Sequence, residues 1–367
     1  MYNNIYKDKT VLVTGNTGFK GSWLTTWLLE LGANVIGLSD RIPTDPAMFE
    51  VLELAKKIDH HMIDVTNFQE VKKIIQKKKP DFIFHLAAQA IVSYSYENPL
   101  ITMQTNILGT ATILEVLRIC DHPCTAIMIT SDKCYENVEW TWGYRENDRL
   151  GGKDPYSASK AGAEIAFHTY HHSFFSNKGS LIRIASARAG NVIGGGDWAP
   201  SRIVPDCIRA WSQERSVVIR RPASTRPWQH VLEPISGYLT LGKNLYENNV
   251  LAGESYNFGP ASDQTFMVKQ LIDEIALNWS FKNDQQRVTV QEETGFHEAG
   301  LLKLNCDKAL HDLKWKPVLG FPDATRLTAS WYNIYYNTQG KDLYKFTLSQ
   351  IEEYETFAKK IKLEWTQ

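Results

Sequence analysis

The chain is short of cysteine, and what it has does not pair off. Five cysteines, Cys120, Cys124, Cys134, Cys207 and Cys306, stand in 367 residues. An odd number with no ladder of close pairs argues against a disulfide framework. Cys120 and Cys124 are at metal-ligand spacing, but no second pair accompanies them, and no metal site is expected. An excess of charge of either sign is missing too. Lys plus Arg number 40 and Asp plus Glu 41, so there is no basic surplus for nucleic acid and no acidic tail. No stretch reads as apolar enough to cross a membrane, and the opening MYNNIYKDKT has no apolar signal region. Internal repeats, low-complexity tracts and long linkers are also absent. Free thiols in a reducing compartment, without nucleic-acid or membrane partners, make a cytoplasmic protein the expectation.

Glycine is well placed. Residues 11–21 read VLVTGNTGFKG: a buried-strand pattern runs into Gly15, Gly18 and Gly21, and the amphipathic run SWLTTWLLELGA follows. Strand, tight turn and helix in that order form a dinucleotide-binding pattern. The glycines let the backbone approach a pyrophosphate, and the helix start offers free N–H groups to its charge. A second strand, NVIGLS, ends at Asp40 and Arg41, about 20 residues past the glycines. An acidic residue there can hydrogen-bond an adenosine ribose and repels a 2′-phosphate. Asp40 therefore favours NAD, while Arg41 leaves NADP open.

Further strands are expected over residues 60–67, ending in Asp64, over 81–89, and over 125–131. The strand DFIFHLAAQ ends in small residues, which leave room at the carboxyl edge of an open parallel sheet. TAIMITS delivers Ser131, Asp132 and Lys133 at such an edge, where chemistry is expected in this architecture. Helices are expected over 68–79, closed by Pro80, and over 102–120, with Asn106 near the start. The helix beginning at Pro155 carries Tyr156 and Lys160, four apart and so on one face. An ammonium beside a phenol stabilises the phenolate and can hold a nicotinamide ribose, so the tyrosine can take a proton near neutral pH. His168 and His172 share the same spacing, but no HExxH pattern surrounds them.

Beyond residue 181 another strand runs into a glycine loop. Residues 198–231, rich in Arg, Trp and Pro, read as leaving the sheet. HVLEPISGYLTLGKNLYEN returns to it as a helix, and ESYNFGP adds a strand. Two further helix-like runs are MVKQLIDEIALNW and EEYETFAKKIKLEW. The expected fold is α/β: a Rossmann-type doubly wound parallel sheet with a smaller mixed α/β C-terminal substrate domain. Residues 1–190, with 229–260 returning, would form the first part; 191–228 and 261–367 would form mainly the second.

TGNTGFKGSWL, HLAA, ITSDKCYEN, GYRENDRLGGKDPYSASK, ARAGNVIGGGDW and RPWQHVLEP together resemble the nucleotide-sugar branch of the extended short-chain dehydrogenase/reductase family. The resemblance spans nearly the whole chain. Within that branch GFKGSWL and SDKCYEN resemble the 4,6-dehydratases acting on a CDP-linked hexose. The resemblance implies bound NAD, oxidation of carbon 4, loss of water across carbons 5 and 6, and return of hydride to carbon 6. It implies cofactor contacts at Gly15, Thr17, Gly18, Phe19, Lys20 and Gly21, then at Asp40, Arg41, Asp64 and Val65. Leu86, Ala87, Ala88, Asn106, Tyr156 and Lys160 complete that set.

In the same reading Tyr156 is the base at the 4-hydroxyl, Lys160 lowers its pKa, and Ser131 bonds the 4-oxygen. Asp132 protonates the leaving 6-hydroxyl and Lys133 takes the carbon 5 proton. Related dTDP-glucose dehydratases carry Thr-Asp-Glu where this chain has Ser-Asp-Lys. A lysine must be neutral to act as a base, and a substrate-positioning cation is the alternative for Lys133. Substrate contacts are implied at Gln89, Asn191, Arg202, Arg220, Arg226 and His230, with arginines suited to a pyrophosphate. A homodimer is implied as well. Three alternatives stay open: a dehydratase of a GDP- or dTDP-linked sugar, a nucleotide-sugar 4-epimerase, which would not need Asp132 and Lys133, and a non-catalytic cofactor sensor.

Overall fold

The computed structural model describes residues 1–177, 179–219, 221–281, 287–290 and 301–367. Seven parallel strands form the central sheet: β1 (Thr10–Thr14), β2 (Asn34–Ser39), β3 (Asp59–Met62), β4 (Phe82–His85), β5 (Cys124–Ile129), β6 (Ile182–Ala189) and β7 (Ser255–Phe258). Their order is β7-β6-β5-β4-β1-β2-β3. The order reverses between β1 and β4, which pair directly. That reversal opens a crevice at the carboxyl ends of the two strands, the place where such sheets hold ligands. β2 matches the expected span. β3 and β4 stop earlier than expected, so Asp64 and residues 86–89 lie on loops beyond the strand ends.

Among the described residues the longer helices are α1 (Phe19–Glu30), α2 (Phe68–Lys78), α3 (Pro99–Arg118), α4 (Pro155–Tyr170), α5 (Leu232–Glu247), α6 (Phe321–Asn337) and α7 (Leu343–Lys360); α7 packs on α1 and α6. α1 departs from its amphipathic reading, because residues 21–28 are all buried. Tyr2 and Trp365 stack at 5.1 Å beside Trp27, whose indole donates to Glu355 on α7. Both ends of the chain thus cover the face that would otherwise meet water. Burying a side chain of the size of Trp27 or Leu28 contributes on the order of 2–3 kcal/mol.

α3 corrects the membrane reading. It is 20 residues long, and an 18-residue window of it has a mean hydropathy of 1.3, enough by length and composition to cross a membrane. Its second half lies in the core, with Ile113, Leu114, Val116 and Leu117 buried beneath the sheet, while Leu100, Ile101 and Leu108 in its first half are exposed. Residues 104–108 form a π-turn within it, around Asn106.

The C-terminal part is more helical than expected. Besides Val268–Leu277 and α7 it contains Asp307–Leu313 and α6. Glu233, in the first turn of α5, ties this part to the sheet. Its buried carboxylate accepts the N–H groups of Val318 at 2.9 Å and Leu319 at 2.5 Å, and the Tyr354 hydroxyl at 2.8 Å. Glu233→Ala removes the acceptor of the Val318 and Leu319 N–H groups and leaves the Tyr354 hydroxyl with Ser236 alone, a loss of about 3 kcal/mol. A melting temperature lower by roughly 5 °C or more is expected by calorimetry; an unchanged one would remove Glu233 as the tie.

Candidate active site

The glycine turn is built by close approach. Gly15 has φ +71°, and a Cβ there would lie 2.8 Å from the Ala87 nitrogen on the β4 loop. A Cβ on Gly21 would lie 2.1 Å from the Gly15 carbonyl oxygen. The turn therefore permits no side chain at either position. α1 starts after Gly18 with no side chain capping its first turn, which leaves its N–H groups for an anion. Asn16, which the sequence reading passed over, braces the turn from behind. Its side-chain oxygen accepts the Ser39 hydroxyl at 2.8 Å, and its side-chain nitrogen meets His60 at 3.2 Å. Thr17 donates its hydroxyl to the Arg41 carbonyl at 2.7 Å.

At the ends of β2, β3 and β4 the expected cofactor residues divide into exposed and supporting groups. Asp40 and Arg41 are exposed and pair with each other at 2.7 Å. The carboxylate that favours NAD thereby also neutralises the guanidinium that would attract a 2′-phosphate. Asp64 accepts from the Thr66 backbone and hydroxyl, both at 2.8 Å, and Val65 beside it is buried against Gly109. Leu86, Ala87 and Ala88 are half-buried along the crevice, with the Ala87 N–H held by Thr14 at 3.1 Å. Asn106 is 1% exposed, and its amide is used up internally. It accepts from the Gln89 N–H at 2.8 Å and donates to Ser159 at 2.8 Å and to the Gln89 carbonyl at 3.1 Å. Its side chain thus positions Gln89 and α4. The Gln89 amide donates to Thr102 at 2.9 Å and to the Ile91 carbonyl at 3.0 Å.

Past the end of β5, Ser131, Asp132, Tyr156 and Lys160 come together, each less than 9% exposed. Ser131 donates to the Asp132 carboxylate at 2.9 Å and accepts the Lys133 N–H at 3.2 Å, closing a single turn over Asp132–Cys134. Gly190, past the end of β6, leaves room for that carboxylate; a Cβ there would lie 3.0 Å from Asp132 Oδ2. Burial pushes the Asp132 carboxyl above its usual range, against Lys133 and the Ser131 hydroxyl. The same desolvation lowers Lys160 to about 8 and raises Tyr156 to about 12. Lys160 Nζ lies 5.9 Å from the phenol ring, and what opposes desolvation at Tyr156 is first the hydrogen bond with Ser131 and then Arg202. Buried groups of both signs poised away from their solution values are what proton transfer in a cleft requires.

The remaining expected residues scatter. Arg202 is paired with buried Asp197 at 2.8 Å. Lys20 is half-buried and donates to the Tyr238 hydroxyl at 3.3 Å; burial lowers it to about 8. Tyr238, on α5, did not stand out in the sequence. Phe19 is half-buried beside Gly194 and Asn191 is half-buried beyond β6. Arg226 is half-buried in a short antiparallel ribbon with residues 266–267. Arg220 lies outside the described residues. His230 is fully buried, its Nδ1 accepts the Leu232 N–H at 3.3 Å, and its ring meets the Trp23 edge. It packs behind α1 and presents no surface to a substrate. Trp198 sits among Trp331, Tyr332 and Tyr335 as core packing.

The family model described as GDP-mannose 4,6 dehydratase matches residues 12–328. The chain belongs to that family. A CDP-glucose 4,6-dehydratase of Salmonella typhimurium is 41% identical over 354 residues, covering 96% of this chain and 97% of the relative. A dTDP-glucose 4,6-dehydratase of Haemophilus influenzae is 24% identical, covering 88% and 97%. Among solved structures, dTDP-glucose 4,6-dehydratase from Bacillus anthracis in complex with NAD superposes with a TM-score of 0.73. It is 19% identical and covers 89% of this chain and 96% of that one. The GDP-mannose 4,6 dehydratase family thus accounts for the extended short-chain dehydrogenase/reductase resemblance, and the Rossmann-type sheet agrees with these neighbours.

The close approach at the turn gives a direct test. Gly21→Ala must push α1 away from Gly15, and the chain should still fold while its affinity for NAD falls at least about tenfold by calorimetry. Unchanged affinity would show that the turn does not hold the dinucleotide.

Proposed function

We propose that the protein is an NAD-dependent CDP-glucose 4,6-dehydratase, a hydro-lyase that converts CDP-D-glucose to CDP-4-dehydro-6-deoxy-D-glucose. The observation that carries this reading is 41% identity along 96% of the chain to an enzyme of that name. The glycine turn, free of side chains at Gly15 and Gly21, fits a dinucleotide pyrophosphate. When bound, NAD supplies an acceptor for the carbon 4 hydride that later gives it back at carbon 6. Residues 1–190 with 229–260 would hold it, and 191–228 with 261–367 would hold the sugar nucleotide.

The chain's own groups then divide the proton work. Tyr156 takes the 4-hydroxyl proton, while Ser131 donates to the 4-oxygen and Lys160 supports the phenolate. A ketone at carbon 4 acidifies the carbon 5 proton, which Lys133 receives. Asp132, whose burial favours its protonated form, gives its proton to the leaving 6-hydroxyl as water departs. Asn191, Arg202, Arg220 and Arg226 are the groups suited to the substrate's far end; for Arg202 this requires sharing its guanidinium with Asp197. The five unpaired cysteines suit a reducing compartment, and we place the enzyme in the cytoplasm. A homodimer is the assembly we favour. Leu100 and Leu108 on α3 and Ile165 on α4 are apolar and more than half exposed on two adjacent helices. A solution mass of twice 41.8 kDa is expected by light scattering, falling to 41.8 kDa in Leu108→Glu; a wild-type monomer would refute it.

The substrate is tested by incubating the protein and NAD separately with CDP-, dTDP-, GDP- and UDP-hexoses. Mass spectrometry should show loss of one water with CDP-glucose alone. Water loss with another nucleotide would reassign the substrate, and an isomer of unchanged mass would mean epimerisation. Asp132→Asn should lower kcat by roughly 10²–10⁴ with NAD affinity unchanged. Near-normal turnover would remove Asp132 as the acid.

A further inference from the structure

We propose that the buried Glu164–Arg188 ion pair positions the reaction site, holding Tyr156, Lys160 and Ser131 at fixed distances across the joint between α4 and the ends of β5 and β6. The proposal rests on the dehydratase reading insofar as it takes those three groups to act. Glu164 follows Lys160 by four residues and Tyr156 by eight, so all three lie along one face of α4. Glu164 and Arg188 are both fully buried, and their charged groups meet at 2.7 Å.

The bonds around the pair run to each element that bears a site residue. One Glu164 oxygen accepts the hydroxyl of Thr130, the residue before Ser131. The other accepts Ser186 on β6 at 2.9 Å and Ser255 on β7 at 3.3 Å. Arg188 donates to the Tyr135 hydroxyl at 2.8 Å and to the Glu146 carbonyl at 2.9 Å. Tyr135 directly follows the turn that carries Asp132 and Lys133. Arg188 stands two residues before Gly190, which makes room for the Asp132 carboxylate. A buried ion pair seldom stabilises a fold more than apolar side chains of the same volume. Stability alone therefore gives no reason for this one. What apolar packing cannot supply is a set of directional bonds that fixes how α4 sits against two strand ends.

The charge matters as well as the geometry. Lys160 faces Tyr156 and Glu164 on its own helix, Cys134 from the turn after β5, His85 from β4 and Lys20 from α1. Glu164 is the carboxylate of this set, and it favours the Lys160 ammonium.

Two variants test the proposal. The double variant Glu164→Leu with Arg188→Met keeps the volume and removes both charges. It should fold and bind NAD normally, melting several degrees below wild type because the buried Thr130 hydroxyl loses its acceptor. Its rate of carbon 4 oxidation, read as reduced-nicotinamide absorbance on adding CDP-glucose, should fall at least tenfold with little change in KM. A folded double variant with wild-type kcat overturns the proposal. Glu164→Gln keeps the shape, leaves Arg188 unpaired, and carries the test if the double variant does not fold. The alkaline limb of its kcat/KM profile should move to lower pH by about half a unit or more; a superimposable profile overturns the proposal. Fluorine NMR of 3-fluorotyrosine in place of Tyr156 reads the same site without substrate. Its titration should shift in Glu164→Gln, and coincident curves count against the pair. A wild-type chain inert toward every nucleotide sugar would refute the dehydratase reading and leave the fluorine result standing.

Discussion

The crevice depends on how closely α1 approaches the end of β1. A single methyl group at Gly21 would lie 2.1 Å from the Gly15 carbonyl. That separation is far inside van der Waals contact, and it can exist only where neither residue has a side chain. The approach aims the uncapped helix start at the reversal point between β1 and β4. Asn16, Ser39 and His60 fix it from the β2 and β3 side. Thr14 fixes it from the β4 side through His85 and the Ala87 N–H. The packing of α1 under both chain termini serves the same end, because a helix buried all round has no freedom to withdraw from the turn.

Burial is the second constraint, and it sets the chemistry. One desolvating environment acts on three groups in different directions. It disfavours the Asp132 carboxylate, the Tyr156 phenolate and the Lys160 ammonium alike. The Asp132 carboxyl is thereby held toward its protonated form, and Lys160 is brought to about 8. Tyr156 is left at about 12 and needs help to ionise. Ser131 and Arg202 act against that desolvation. A buried cluster with one carboxyl, one phenol and cations on two sides suits an oxidation that must deprotonate the 4-hydroxyl and an elimination that must deprotonate carbon 5 and protonate the leaving oxygen.

Much of this was legible in the residues, and the parts that were not share a cause. β1, β2, β5 and α4 follow local patterns of apolar runs, glycine, proline and Tyr–Lys spacing, and they fall where those patterns place them. α6 escaped because its sequence, FPDATRLTASWYNIYYN, is rich in Thr and aromatics that weaken the helical signal. His230 read as a ligand contact because it stands in a distinctive motif, yet its surroundings come from α1. Tyr238 and Arg188 gave no sign in their own neighbourhoods. Their partners Lys20 and Glu164 are 218 and 24 residues away. Glu164 did leave a trace, one turn beyond Lys160 on the same face, but its meaning required the strand ends that meet it. Periodicity reports the neighbours a residue has along the chain, and these roles were assigned by neighbours across the fold.

The central claim is that one buried site both removes the carbon 4 hydrogen and returns it within a single cycle. CDP-glucose deuterated at carbon 4 tests it most directly. With NAD in excess, the dehydrated product should carry the deuterium at carbon 6, and no label should reach the free cofactor. Deuterium lost to water or found in the free cofactor pool would contradict the account.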